Sequence, residues 1–472
     1  TAMADPIRIA NCSGFFGDRI YAAREMVEDG PIDVLTGDWL AELTMVILAR
    51  QRMKHGNGYA RTFLTQMEQV LGTCIDRGIR VVSNAGGLDH VGLGTAIEDL
   101  ADRLGLSVRV GVVDGDDIAG RLADLRADGE AFVNLDTSES LAERDVHPIT
   151  ANVYLGGEPI TRALDAGADV VVTGRVTDAA LVIGPAAWRH RWDYAAAVGG
   201  DQAALDALAG ALVAGHVIEC GAQATGGNYS FFADVPGLEH PGLPIAEVAS
   251  DGSSVITKHD GTGGMVTVGT VTAQLLYEVA GPDYANPDVT ARFDTIRLAQ
   301  VGRDRVEISG TRGATPPDRL KVAMNYVGGF RNSLTLVLTG LDAPAKADLA
   351  LRTIAGLSLD EVTTAADRRV RAAASSLDVA ELDVDLQLSG RDDPESPLDA
   401  QSYLRITVKD PDATKVGKPF TSSVIEGALS SYPGMFPTAP PEAGTPYGVY
   451  WPTTVAREVV EPRVLVAGEV IP

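Results

Sequence analysis

Five times before residue 180, a short run of aliphatic and β-branched residues ends in Gly, Asn, Asp, Thr or Arg and hands over to a new segment. The runs cover 7–10, 32–35, 79–82, 108–113 and 168–172. They lead into Asn11-Cys12-Ser13-Gly14-Phe15-Phe16-Gly17-Asp18-Arg19, Thr36-Gly37-Asp38-Trp39, Ser83-Asn84-Ala85-Gly86-Gly87, Asp114-Gly115-Asp116-Asp117 and Thr173-Gly174-Arg175-Val176-Thr177-Asp178. Apolar residues at helical spacing follow over about 20–28, from Leu40 through Leu43, Val46 and Ile47, and over 93–104. Strand, polar turn, helix, strand is the pattern of parallel βα units. The expected fold class is therefore α/β, a mainly parallel open sheet with flanking helices, followed by a smaller α+β domain. A closed barrel obeys the same grammar, but the irregular unit lengths and the long helical stretch 41–76 favour the open sheet.

In such sheets ligands bind beyond the carboxyl ends of the strands, where loops converge and the following helices present free N–H groups. Five polar strand ends on one rim are what a small-molecule site requires.

Past Gly281-Pro282 the pattern changes. Strands are expected over 293–299 and 305–310 around Val301-Gly302-Arg303-Asp304, and over 320–327 and 333–339 as a hairpin around Gly328-Gly329-Phe330-Arg331-Asn332. A helix over 343–354, strands over 382–388 and 403–408 flanking a loop at 390–397, and a helix near 421–430 complete a C-terminal α+β domain. At 472 residues the chain exceeds what one core usually supports, and we place the domains at 1–315 and 316–472. The proline-rich stretch 432–452 reads as an irregular wrap.

The net charge of -25, from 64 acidic and 39 basic residues, repels nucleic-acid backbones and anionic lipid, and no Lys/Arg-rich run compensates. No apolar run approaches a membrane span, and residues 1–10 show neither the basic nor the apolar region of a secretion signal. Three cysteines, Cys12, Cys74 and Cys220, without C-x-x-C spacing argue against a disulfide framework. A cytoplasmic protein acting on a small molecule is expected, with no nucleic-acid or membrane partner; a homo-oligomer is left open.

The densest chemistry lies in Glu219-Cys220-Gly221-Ala222-Gln223-Ala224-Thr225-Gly226-Gly227-Asn228, between the apolar segment 205–218 and the aromatic Tyr229-Ser230-Phe231-Phe232. Cys220 beside Glu219 reads either as an acyl-transfer nucleophile or as a small buried residue. Glu219 reads as a proton-transfer carboxylate or as a structural acceptor holding the loop. A second loop, His259-Asp260-Gly261-Thr262-Gly263-Gly264, supplies the best acid/base pair in the sequence, His259 with Asp260, and glycines at 261, 263 and 264 that admit a ligand to the backbone. Its alternative is a turn. Arg175 and Asp178, three apart, read as an anion anchor or as an internal salt bridge. Asn11, Ser13, Asp38, Asn84, Gly86, Gly87, Asn228 and Thr262 complete the candidate substrate-binding set. No His/Asp/Glu spacing forms a metal motif, so no metal and no resident cofactor are expected.

Together the segments at 11–19, 37–45, 83–87, 173–178, 219–221 and 259–264, with Tyr447-Gly448-Val449-Tyr450-Trp451, resemble the acyclic terpene utilisation family, AtuA, over about residues 6–455. Cys12 stands where small residues such as Ala are expected in relatives. The resemblance implies a place in the catabolism of citronellol- and geraniol-like compounds, with a branched acyl-CoA or related acid as substrate and coenzyme A present only as part of it. We expect a lyase that hydrates, dehydrates or cleaves a carbon–carbon bond, with His259 and Glu219 moving protons, Arg175 holding an anion, and Asn84 and Asn228 polarising a carbonyl. Acyl transfer or thioester hydrolysis through Cys220 is the alternative, and a non-catalytic partner subunit of acyl-CoA enzymes is a third reading.

Overall fold

A computed structural model of the protein describes residues 5–16, 18–388 and 401–471; Gly17 and the loop expected at 390–397 lie outside the described residues. The chain divides into two compact units, residues 1–325 with 450–472, and residues 326–449. The sequence-based cut at 315/316 thus differs from this division, in which the last residues join the first unit.

The first eight strands of the chain lie in the first unit: β1 (Ile7–Asn11), β2 (Val34–Gly37), β3 (Arg80–Ser83), β4 (Val110–Asp114), β5 (Thr150–Val153), β6 (Val170–Thr173), β7 (Pro244–Val248) and β8 (Ser254–Lys258). All but β5 join one sheet in the order Arg297–Gly302, Arg305–Ser309, β8, β7, β1, β2, β3, β6, β4, Arg463–Val466, Glu469–Ile471. The five strands β1-β2-β3-β6-β4 are parallel. Their residues are apolar on both faces, as the buried Val81, Val82, Val170, Val171 and Val172 illustrate, because helices cover both sides of a parallel sheet. Every other pairing in this order is antiparallel. The sheet is therefore mixed rather than mainly parallel: a parallel centre with an antiparallel arm at each side.

Helices α1 (Ala22–Glu28), α2 (Glu42–His55), α3 (Arg61–Arg77) and α4 (His90–Leu104) follow the first strands. Helix α3 stops at Gly78, whose φ of 67° lets its N–H reach back to Cys74 and Ile75. Asp89 starts α4 by accepting the Gly92 N–H at 3.1 Å. Phe63, Met67, Val70, Leu71 and Cys74 on α3 face Leu93, Ile97 and Leu100 of α4 in one core with Trp39. The indole meets the Phe63 ring edge-on at 5.2 Å and donates Nε1–H to Thr62. The segment expected only to be apolar, 205–218, is the buried helix Gln202–Ile218, capped by Asp201.

The strand Arg319–Thr339 runs unbroken through 328–332, so the expected hairpin is absent. Gly329 adopts a φ of 131°, and a side chain there would meet the Asp410 carbonyl at 2.9 Å. The glycine marks a close strand approach rather than a reversal. In the first unit, residues 322–325 of this strand pair with β5.

The second unit contains the rest of that strand, paired antiparallel with Gln401–Asp410, which in turn pairs with Glu381–Gln387. Alternate residues Leu334, Leu336, Leu338, Leu404, Ile406 and Val408 face the helices Ala343–Ala355 and Lys418–Gly427, the period-two pattern of a sheet buried on one side. The stretch expected to wrap irregularly contains the strands Met435–Pro437 and Thr445–Ala456. Among the described residues, no helix is long and apolar enough to cross a membrane.

Candidate active site

The parallel strands end side by side, so the residues just past them share one rim. β1 delivers Asn11, β2 delivers Asp38, β3 delivers Asn84 and β6 delivers Arg175 and Asp178. Asn11 is buried and donates Nδ2–H to the carbonyls of Ile218 (2.5 Å) and Glu219 (3.0 Å). It thereby caps the helix Gln202–Ile218 and carries Glu219 to the same rim, a structural role. The fit leaves no room: a Cβ on Gly14 would lie 2.5 Å from the Cys220 backbone.

Asn84 is tied to its neighbours at both ends of its amide. Its Oδ1 accepts the Trp39 N–H at 2.7 Å, and its Nδ2 donates to Asp38 Oδ1 at 2.6 Å. The same Asp38 oxygen accepts Leu40 N–H at 3.1 Å. Arg175, 2% exposed, donates to the Leu40 carbonyl and to Asp178 (2.5 Å), and its guanidinium lies 4.2 Å from the Tyr154 ring centroid. Tyr154 in turn donates to Glu42 at 3.2 Å. Ser13 is tied to the Phe15 carbonyl at 2.8 Å. Gly86 is obligatory for packing, because a Cβ would meet the Thr173 carbonyl at 2.4 Å, and Gly87 has a φ of 51°.

The Arg175 guanidinium pairs with Asp178, and its charge also reaches Asp38, Glu42 and Glu219. Burial pushes Asp38 well above the usual carboxylate range, and the Asp178 charge adds to it, more than Arg175 offsets. Glu219 is pushed up by burial, then by Asp178 and Glu278. Asp178 rises too, again through burial, which outweighs the pull of Arg175. Its side chain keeps 29% of its surface open to solvent, so water screens it more than its two sealed neighbours. Such a group retains protons to a higher pH than exposed acids do, and Asp178 is its door to water.

Glu219 Oε2 is buried and has no hydrogen-bond partner. Its Oε1 lies 3.3 Å from His216 Nδ1. His216, one turn earlier on the helix, is held edge-on between Tyr284 (5.3 Å) and Phe293 (5.5 Å), and burial pushes its pKa down, favouring the neutral ring. Sequence reasoning passed over His216 and Tyr154. The i, i+3 spacing of His216 and Glu219 was the signal for the first; nothing local pointed to the second.

Cys220 is half-buried, and burial followed by the Glu219 charge pushes its thiol upward, which opposes thiolate formation. The His259 ring turns away from the carboxyl cluster: Nε2 pairs with the Met26 carbonyl at 2.9 Å, and Nδ1 packs so tightly on Gly30 that a Cβ there would sit 2.4 Å away. Asp260, Gly261, Thr262, Gly263 and Gly264 line a separate hollow of about 560 Å³ with Lys258 and Asp304. There Lys258 donates to the Thr262 carbonyl at 2.8 Å, and Thr262 to the His259 carbonyl at 2.7 Å. Asn228 reaches Gln274 at 3.5 Å. The structure therefore gathers Asn11, Asp38, Asn84, Arg175, Asp178 and Glu219, with Cys220 beside them, and turns the His259 side chain elsewhere.

Searches of curated proteins and of solved structures returned no match. The family model for the acyclic terpene utilisation family protein AtuA matches residues 7–466. Nearly the whole chain is covered, and the protein belongs to the AtuA family.

Proposed function

We propose that the protein is an enzyme of acyclic terpene or branched-chain acid metabolism that works by proton transfer on a branched acyl-CoA or related acid. Hydration, dehydration and carbon–carbon cleavage beside a carbonyl all need a proton delivered and removed at fixed positions. The supporting observation is the Asp38–Asp178–Glu219 cluster around Arg175. A buried carboxyl group whose pKa is raised can deliver a proton as a general acid, and a solvent-open neighbour gives that proton a route back. Glu219, with an unpaired buried oxygen, is the proton donor in this reading, and Asp178 is its exchange partner. Arg175 pulls the proton affinity of all three carboxyl groups down against the effect of burial.

The test is incubation of purified protein with branched enoyl- and hydroxyacyl-CoA thioesters and the free acids, read by mass spectrometry. Turnover that falls at least about 100-fold in Glu219→Gln supports the reading. No turnover with any compound, together with stable capture of a carboxylase or hydratase, would replace it with a partner-subunit role. Acyl transfer through Cys220 is disfavoured by the upward push on the thiol, and Cys220→Ala distinguishes it.

A further inference from the structure

A different group on the same sheet edge is used by none of this chemistry. His90 opens α4, Asp114 ends β4, and Asp116 lies in the turn after it. One ligand atom from each lies within 4.8 Å of the other two, the one such group among the described residues. The signal is invisible at short spacing, since 24 residues separate His90 from Asp114.

We infer that His90, Asp114 and Asp116 form a site for one divalent cation of the first transition row. Asp116 is 0% exposed. Its Oδ2 accepts Asn152 Nδ2 and Arg175 N, each at 2.8 Å, whereas its Oδ1 is buried without a partner. His90, 6% exposed, points Nδ1 at that oxygen across 3.9 Å, and Nδ1 also has no geometrically sound hydrogen bond. That gap is too wide for a hydrogen bond. It exceeds by roughly 0.5 Å the span of two tetrahedral ligands each roughly 2.1 Å from one metal ion, so a small inward turn of the ring would complete the pair. The opposite ring nitrogen, Nε2, lies 2.8 Å from Asp114 Oδ1, and Arg463 holds the other Asp114 oxygen. A metal-binding imidazole whose second nitrogen is held by a carboxylate is the usual way a protein fixes ring orientation and tautomer. Asp116 Oδ1 and His90 Nδ1 are thus the direct ligands and Asp114 the positioning residue. Imidazole with carboxylate suits Mn²⁺, Fe²⁺, Co²⁺ or Zn²⁺ better than Ca²⁺. The competing occupant is a proton: an imidazolium between the two carboxylates, with the Gly87 carbonyl also beside the ring.

The experiment uses the full chain, freed of metal by chelator and dialysis, and titrated with Mn²⁺, Co²⁺, Zn²⁺ and Ca²⁺. Binding is read by calorimetry, by Co²⁺ absorption and by the ¹⁵N shifts of His90. The inference expects about one equivalent of Co²⁺ or Mn²⁺ bound, a His90 Nδ1 shift on binding, and affinity lower by about 10- to 100-fold in Asp114→Asn and by more in Asp116→Asn and His90→Gln. Tm measured without metal shows whether each variant is folded. Should the variants fail to fold, the wild-type His90 shift decides alone. No saturable binding up to millimolar metal, binding unchanged in the folded variants, or a His90 Nδ1 that stays protonated throughout would overturn the inference.

Discussion

Replacing Arg175 with Met tests the electrostatics of the site through a quantity that needs no substrate. The guanidinium is buried, donates to the Leu40 carbonyl and Asp178, and lies over Tyr154. Breaking a buried ion pair by removing one partner costs about 3–5 kcal/mol, and the orphaned Leu40 carbonyl falls within that range rather than adding to it. The loss depends on pH in a definite direction. Asp38, Asp178 and Glu219 already sit above their unfolded values, so their contribution to stability is fully present below those values and is lost as pH rises through the folded ones. Without Arg175 the folded values climb further. Each carboxyl group forced to hold a proton then removes roughly 1.4 kcal/mol per pH unit. Arg175→Met should therefore cost about 3–5 kcal/mol near neutrality, and more at pH 8 than at pH 5. Urea unfolding of both proteins at both pH values, with m unchanged, measures this difference. A cost below about 1 kcal/mol, or one equal at the two pH values, would refute the proposed coupling.

Asp288 offers an independent check in the same unit. Burial pushes it up to about 6 from 3.8, despite the N–H groups of Gly157 and Glu158. Its contribution is complete below pH 3.8 and lost as pH rises through 6, about 3 kcal/mol between pH 4 and pH 7; Asp288→Asn should flatten the stability profile by that amount. Cys220→Ala should leave turnover within about 3-fold of wild type, because a protonated thiol is no nucleophile; a collapse in single-turnover assays would restore acyl transfer. His259→Ala should lower stability by about 1–3 kcal/mol through the orphaned Met26 carbonyl, with kcat unchanged once the folded fraction is corrected for. A loss of kcat at full folding would return His259 to the chemistry.

The parallel centre of the sheet was legible because its strands must be apolar on both faces and must end where helices begin. Asn11, Asp38, Asn84 and Arg175 could be read as one rim for that reason alone. The antiparallel arms were harder. Pro244–Val248 opens on a proline and follows a loop, so it lacks a strand's usual signal, and Gly328-Gly329 imitates a turn while serving a close strand approach. Side-chain direction was the other blind spot. His259 and Glu219 looked equally available in sequence, yet one ring is packed on Gly30 and one carboxylate faces Asp178. Loop spacing carries no information about which way a residue turns, and the link between His90 and Asp116 exists only once β4 lies beside α4.

The most direct test of the proton-transfer site is solvent exchange. Wild-type protein in D₂O with branched acyl thioesters and acids should label the carbon beside the carbonyl, or the product derived from it, and mass spectrometry counts the deuterium. Labelling that disappears in Glu219→Gln and in Asp178→Asn, with both variants folded, is the predicted result; labelling that persists undiminished in Glu219→Gln would contradict the account.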